Sequence, residues 1–539
     1  MRAISLSNLR FEIVKWMSRE DFEELLTIAD YIRFDTSRKR GIYRLNLEKC
    51  LEKKPSEIIR ILSKHNISLN ADLLNLLREK KPAAVISLKG SDLVIDGIST
   101  VPPEAENLVV WDRQDKLFRA KPMYLSQIVK VFEKYGIKPI ITFETEQKIS
   151  FETSPLFELR PFQKEAYNAW LANDKRGVIV LPTGAGKTYI ALWAIHELKL
   201  KSLIVVPTID LLQQWKDKIC TMLDVPDEEV GIFGGGKKEI KDVTVITYDS
   251  AYLNVHALAD KFSLLIADEV HHLASPSYRL IAECMPCTAR MGLTATPKRA
   301  DELHKDLDIL IGPTVYKSDT RELVEDGYLA DYEIRRIYVD LTPEEAIEYN
   351  TLMEKYRRYV DLHCINKDPK EAFKEVVKLS RSDPIAHDVL IARERARQIA
   401  LGAKNKIRVL EKLLSRYKDK KVIIFSRYTG FVDKISKLFL IPKITHKTSA
   451  EERRKILEAF REGRITKIVT GEVLDEGVDV PDASVGIIVS GTGSERQYIQ
   501  RLGRLLRPKD EKAILIEIIT KRTIEVPLSR RRKTELEDA

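Results

Sequence analysis

Apolar residues at helical spacing, separated by charges, open the chain, as in Leu51 to Leu62 and Ala71 to Leu77, and strand-like alternation is almost absent before residue 80. The pattern predicts a small helical domain over residues 1–80. From Ala83 the period shortens. Ala84 to Leu88, Asp92 to Asp96 and Leu108 to Trp111 read as strands, and Leu125 to Tyr135 as a helix, which predicts an α+β unit over residues 83–150. From Leu159, short continuous apolar runs alternate with amphipathic helices, the mark of a doubly wound parallel sheet. Strands are expected at Val178 to Leu181, Ser202 to Val206, Val243 to Thr247, Leu264 to Ala267 and Arg290 to Thr294. A helical stretch rich in Arg and Lys follows, Thr342 to Leu414, before the β/α alternation resumes at Val422 to Ser426, Lys467 to Thr470, Val485 to Val489 and Ala513 to Ile518. The simplest reading is α/β: one sheet lobe over 152–330, a second over 331–525 that carries a basic helical insertion at 342–400, and a charged tail at 526–539.

Length agrees with several domains, since 539 residues exceed what one core supports. The hydrophobic fraction of 44% and the charged fraction of 32% describe a globular chain with many surface ion pairs and exclude a largely disordered one. A net charge of +9 is modest for this size, so a local basic surface facing a polyanion is favoured over a uniformly basic protein. Five scattered cysteines exclude a disulfide framework. Cys284 and Cys287 have the spacing of half a metal site or a redox motif, but no second pair completes it and nothing nearby suggests a thioredoxin-like unit, so both are read as structural. With no apolar run near the ~18 residues of a membrane span, the chain is expected to be soluble and cytoplasmic, with no membrane partner.

Chemistry concentrates in a few runs. Pro182-Thr183-Gly184-Ala185-Gly186-Lys187-Thr188 follows a predicted strand and opens a predicted helix, the context that a phosphate-binding loop requires. Its N–H groups can wrap a triphosphate, Lys187 can reach the outer phosphates, and Thr188 can ligate Mg²⁺. Asp268 and Glu269 stand at the end of a predicted strand, at the carboxyl edge where such sheets bind ligands. Asp268 is placed to hold Mg²⁺, and Glu269 to orient and deprotonate a water. ATP and Mg²⁺ are the cofactors this implies. His271 reads as a polar link from that acidic pair, because adjacent His271 and His272 do not share a face. Further on, Gln500 to Arg507 places Arg504 and Arg507 on one helical face, suited to grip phosphate as an arginine finger. The basic insertion, which includes Lys355, Arg357, Arg358, Lys367, Lys370, Lys374, Lys378, Arg381, Arg393, Arg395 and Arg397, is either a solvated face or a surface that tracks phosphates.

In order along Leu159 to Ile519, Arg160-Pro161-Phe162-Gln163, Gly186-Lys187-Thr188, Val206-Pro207-Thr208, Thr247-Tyr248-Asp249-Ser250, Asp268-Glu269-Val270-His271, Leu293-Thr294-Ala295-Thr296-Pro297, Gly477-Val478-Asp479 and Gln500 to Arg507 resemble the motifs of superfamily 2 helicases, most closely the XPB family in its archaeal form. The resemblance implies two RecA-like motor lobes, a thumb-like insertion and a damage-recognition-like unit at 83–150. It further implies adenine contacts at Arg160 and Gln163 and a nucleotide sensor at Gly477 and Asp479. Coupling falls to Thr294 and Thr296, with His271 beside them, and DNA contacts to Thr208, Thr247 and Thr470. Arg299-Ala300-Asp301 stands where the family carries Arg-Glu-Asp, so Arg299 and Asp301 are candidate DNA contacts around an altered centre. The expected activity is an ATP-dependent 3′ to 5′ DNA helicase or translocase of nucleotide excision repair or transcription-linked opening. Its substrate would be forked or distorted duplex, its motor monomeric and its companion a structure-specific nuclease. An ATP-switched DNA-damage binding factor with little strand separation is the alternative, and an RNA motor shares the same core motifs.

Overall fold

The structure, a computed structural model, describes residues 2–5, 8–14, 17–79, 82–296, 302–364, 367–471, 483–491 and 512–530. The chain divides into two compact units, one of residues 1–179, 189–293 and 297–316, the other of 180–188, 294–296 and 317–539.

The leading segment departs from the helical domain expected there. Beside the helices Arg19–Leu26, Leu47–Leu51, Pro55–Ser63 and Ala71–Glu79 it holds an antiparallel sheet ordered Arg10–Ile13, Arg40–Leu45, Ala29–Asp35, and Arg2–Ile4 pairs in parallel with Ile67–Leu69. The sheet was hidden because charge interrupts its alternation: Arg44 points inward, 2% exposed, with its Nε 2.9 Å from Asp96 Oδ2. What holds the strands is aromatic. Phe11 stacks on Tyr43 at 5.7 Å, and Tyr31 meets Tyr43 edge-on at 5.4 Å.

Residue 80 does not separate two cores. In the strand Ala83–Lys89, successive side chains go to opposite faces. Ala83 and Val85 join the core built by Leu45, Leu47 and Leu73, while Ala84 and Ile86 join Ile95, Phe118 and Ile128. That strand belongs to a five-stranded sheet ordered Lys138–Ile141, Ala83–Lys89, Asp92–Asp96, Leu117–Ala120, Val109–Asp112, with the helix Leu125–Lys134 on its second core. A strap then crosses the next sheet. The Gln147 N–H donates to Ser263 Oγ at 2.8 Å, the Ser150 N–H to Asp242 Oδ2 at 2.8 Å, and the Ser154 N–H to the Leu223 carbonyl at 2.8 Å.

The first large sheet has eight strands, in the order Lys237–Lys238, Val230–Gly234, Val243–Thr247, Ser202–Val206, Leu264–Asp268, Ala289–Thr294, Arg176–Val180, Thr314–Lys317. Its central pairings are parallel, and Ser202–Val206 and Val243–Thr247 are buried at every residue, as strands covered on both faces must be. The second has six strands, Tyr332–Val339, Ala513–Thr520, Val485–Ser490, Val422–Ser426, Lys467–Thr470, Lys443–Ile444, all paired in parallel. Two parallel sheets are therefore as expected, with strand bounds within two residues of the predicted ones.

The insertion is helical, as its pattern predicts: Pro343–His363, Pro369–Leu379 and Pro384–Leu401, then Lys404–Arg416. A proline opens each of the first three, where its missing N–H costs nothing. Thr342 and Asp383 cap the first and third through their side chains. Tyr359, Val376, Ala386 and Val389 form its small core. Among the described residues no helix is long and apolar enough to cross a membrane.

Candidate nucleotide-hydrolysis site

The strand Arg176–Val180 leads into the predicted phosphate loop, and the helix Lys187–Leu198 starts inside it. Gly184 and Gly186, at φ 90° and 80°, lie in the left-handed region that any side chain resists, which lets the loop turn its N–H groups inward. The Ala185 N–H donates to the Pro182 carbonyl at 3.2 Å. Lys187 Nζ lies within the turn and donates to the carbonyls of Leu181 (2.9 Å) and Pro182 (3.2 Å). Thr183 Oγ1 is buried with no hydrogen-bond partner, a cost that a phosphate oxygen would remove. Inward glycine turns, an ammonium held within the loop and an orphaned hydroxyl fit a triphosphate, and the Thr188 hydroxyl at the helix start is of the kind that could hold a Mg²⁺ bound with it.

Thr294 is wholly buried, and its carbonyl accepts the Leu181 N–H at 3.1 Å, so the expected coupling segment is bonded directly to the start of the loop. Thr294 Oγ1 accepts the Thr296 N–H at 3.1 Å, and Thr296 Oγ1 is buried without a partner.

Asp268 ends its strand and is fixed from three sides. Its Oδ1 accepts the Glu269 N–H at 3.0 Å, its Oδ2 accepts the indole N–H of Trp215 at 2.9 Å, and its backbone carbonyl accepts from the Tyr248 hydroxyl at 2.9 Å. Burial, with Asp268 and Glu269 nearby, pushes the Tyr248 phenol well above its ordinary value, so it stays a donor. Glu269 stands at φ 47°, ψ 55°, a left-handed conformation rare for a residue with a side chain. His271, with no exposed surface, brings Nδ1 to 3.5 Å from Glu269 Oε2. Sequence reasoning missed Trp215 and Tyr248. Each follows a threonine singled out there, by seven residues and by one, yet nothing in the pattern shows that both reach Asp268.

The threonines expected to hold DNA are helix caps. Thr208 accepts the Leu211 N–H at 3.3 Å and opens Ile209–Leu223; Thr247 accepts the Ser250 N–H at 3.3 Å and opens Tyr248–Leu253. Thr470 has no exposed surface, and its hydroxyl donates to the Gly471 carbonyl at 3.0 Å, so it organises a strand end. Gln163 is also a cap. Its side-chain oxygen accepts the Arg160 N–H at 2.9 Å at the start of Pro161–Ala172, and Arg160 itself is exposed. In the insertion, Lys355, Arg358, Lys367 and Arg397 pair with Asp388, Glu354, Glu375 and Glu394, and Arg393 lies over the Phe373 ring at 4.2 Å. Lys355, Arg358 and Lys367 are exposed despite these pairings, as are Arg357, Lys374, Lys378 and Arg395. Cys284 and Cys287 are buried, and the Cys287 thiol, pushed up to about 11 by burial, donates to the Phe262 carbonyl at 3.2 Å. Arg299, Asp301, Gly477, Asp479, Gln500, Arg504 and Arg507 lie outside the described residues.

Residues 156–299 match the family described as type III restriction enzyme, res subunit, and residues 405–509 match the helicase conserved C-terminal domain. A curated protein of Sulfurisphaera tokodaii named DNA 3′-5′ translocase XPB2 is 47% identical over 376 residues, which cover 70% of this chain and 84% of that protein. DNA 3′-5′ helicase XPB of Kineococcus radiotolerans is 31% identical over 365 residues, covering 66% of this chain and 58% of its own. The chain thus spans most of the first relative and little more than half of the second. The solved Hef helicase domain of Pyrococcus furiosus is 19% identical, with a TM-score of 0.47, and covers 70% of this chain and 98% of that one.

Proposed function

Because the chain belongs to the XPB family of DNA helicases and translocases, we propose that it hydrolyses ATP with Mg²⁺ to move 3′ to 5′ along DNA and open it. The observation that carries this reading is the loop 182–188, with its two left-handed glycines, its inward Lys187 and the orphaned Thr183 hydroxyl. In it the loop N–H groups and Lys187 bind the β and γ phosphates, while Thr188 and Asp268 hold the metal. Bound Mg²⁺ supplies charge neutralisation at the transferring phosphoryl group. Glu269 takes the proton of the attacking water, with His271 steadying its carboxylate. Arg160 and Gln163 read the base. Arg504 and Arg507, with Gln500, supply the second half of the phosphate grip, and Gly477 and Asp479 sense the nucleotide from the second lobe. Thr208 and Thr247 present helix starts to the DNA backbone, and Arg299 and Asp301 add further contacts to it. We place the activity in nucleotide excision repair or transcription-linked opening, on forked or distorted duplex, as a cytoplasmic monomeric motor that works with a structure-specific nuclease.

Steady-state ATP hydrolysis with and without forked duplex tests the core of this. Lys187→Ala should lower the DNA-stimulated rate by ~10²-fold or more, as loss of a preorganised transition-state charge does. Hydrolysis by that variant at the unaltered rate would refute the reading. Stimulated hydrolysis without strand separation on forked duplex would select a translocase or an ATP-switched binding factor, and equal stimulation by RNA would move the substrate.

A further inference from the structure

Trp215 and Trp170 are both buried indoles, at 2% and 0% exposure, and each needs an acceptor for its N–H. Trp170 takes the ordinary solution, a backbone carbonyl, that of Arg290 at 2.8 Å. Trp215 instead donates to Asp268 Oδ2, a side chain assigned to the metal. Its helix, Ile209–Leu223, begins at the Thr208 cap, and seven residues of helix, two turns or ~10 Å, put cap and indole on the same face. A second, independent line reaches the same residue. Tyr248 is the first helical residue after the Thr247 cap, is buried, and donates to the backbone carbonyl of Asp268. One bond orients the carboxylate and the other holds the peptide that carries it. Each starts at a threonine assigned to the DNA backbone.

We infer that Trp215 and Tyr248 are positioning residues through which DNA engagement at Thr208 and Thr247 sets the orientation of the Asp268 carboxylate, and so the rate of hydrolysis. This rests on the motor reading above. A DNA phosphate that draws on either helix start pulls on the element that carries a donor to Asp268. The metal then sits correctly only when the backbone is held. The link is reciprocal, as any coupling between two ligands must be. It is distinct from the bond that ties Thr294 to the phosphate loop, which shares no residue with it.

The experiment uses the full chain with Tyr248→Phe, which deletes only the hydroxyl, and Trp215→Phe, which keeps an aromatic ring but deletes the indole donor together with some buried volume. For each, ATP hydrolysis is measured with and without saturating duplex, together with the Mg²⁺ concentration for half-maximal rate, duplex affinity and melting temperature. The expected result for Trp215→Phe is a fall of about tenfold in the ratio of DNA-stimulated to unstimulated rates, the scale of one lost bond to a charged group. Its half-maximal Mg²⁺ concentration rises, and its duplex affinity measured without nucleotide and Mg²⁺ stays within about twofold. Tyr248→Phe, whose bond is to a neutral carbonyl, should lower the ratio by about threefold. A residue that merely fills space would lower both rates in proportion, so an unchanged ratio in both variants overturns the inference. Should Trp215→Phe melt early, Tyr248→Phe decides alone. A wild-type chain that hydrolyses ATP equally with and without DNA would sink the motor reading first, and is thereby distinguished from a stimulated wild type whose variants keep its ratio.

Discussion

Glu269 holds a left-handed backbone that an ordinary residue adopts only at a cost of about 1–2 kcal/mol, and its own N–H is tied to Asp268 Oδ1. Such a conformation persists only where its surroundings impose it, and here it sends two successive carboxylates in different directions from one strand end. Glu269→Gln keeps that shape and removes the base, so kcat should fall by ~10² to 10⁴ while the melting temperature is unchanged. A variant that keeps its rate would remove Glu269 from the chemistry. Arg44 and Asp96 are a different case. Burial pushes the Asp96 carboxyl up and the Arg44 guanidinium down, and their mutual attraction only partly offsets this. The folded carboxyl, raised above its unfolded value, gives stability that is present below about pH 3.8 and is lost as pH rises through its folded value. At neutral pH desolvation thus offsets much of what the pair's attraction contributes. Asp96→Asn, which removes the carboxylate charge facing the guanidinium, should cost about 3–5 kcal/mol, whereas Arg44→Met with Asp96→Leu should cost far less; thermal melting of both separates the two effects.

At the scale of elements, the caps do more than end helices. Thr342 and Asp383 start the long insertion helices, and Tyr359 donates to Asp383 Oδ2 at 2.6 Å across the insertion. The Tyr359 hydroxyl, before the Ile385 N–H, holds Asp383 below the usual carboxylate value, and the same bond pushes the phenol up to about 12. The signs work in opposite directions. Asp383 contributes stability present above its unfolded value, near 3.8, and lost as pH falls; Tyr359 contributes stability present below 10 and lost as pH rises through about 12. Tyr359→Phe should therefore lower the melting temperature across neutral pH, with the difference from wild type shrinking below about pH 3.8. A difference independent of pH would assign the effect to packing. Gly292 is the corresponding point in the first large sheet. A Cβ there would meet Val270 Cγ2 at 2.9 Å and Val178 Cγ2 at 3.1 Å. Gly292→Val should cost about 1–3 kcal/mol in a melting experiment. By pressing Val270, the residue after Glu269, it should also lower kcat.

For the whole molecule, the net charge of +9 is small, so affinity for DNA must come from where the cations stand. Arg357 and Arg395 are exposed on the insertion, where neighbouring Arg358 and Arg397 pair with its own carboxylates. If both meet phosphates, replacing them by alanine should make the slope of log affinity against log salt shallower by about 1.8, or 0.9 each, measured by duplex titration. An unchanged slope would leave the insertion as a structural element.

Much was legible before any fold was seen. Short runs of β-branched and other apolar residues, broken at most by Ser or Thr, name a doubly buried strand, which is why Ser202–Val206, Val243–Thr247 and Val422–Ser426 are readable to the residue. The phosphate loop was readable for the same kind of reason: its geometry needs glycines and a lysine at fixed local spacing. The leading sheet was not, because the burial of Arg44 depends on Asp96, 52 positions away, and local alternation carries no trace of such a partner. Nor was the hold on Asp268, since Trp215 stands 53 residues before it and Tyr248 20 residues before it. Periodicity and local motifs are properties of neighbours along the chain. Which buried donor meets which charge is decided only when parallel strands bring distant segments to one edge of a sheet.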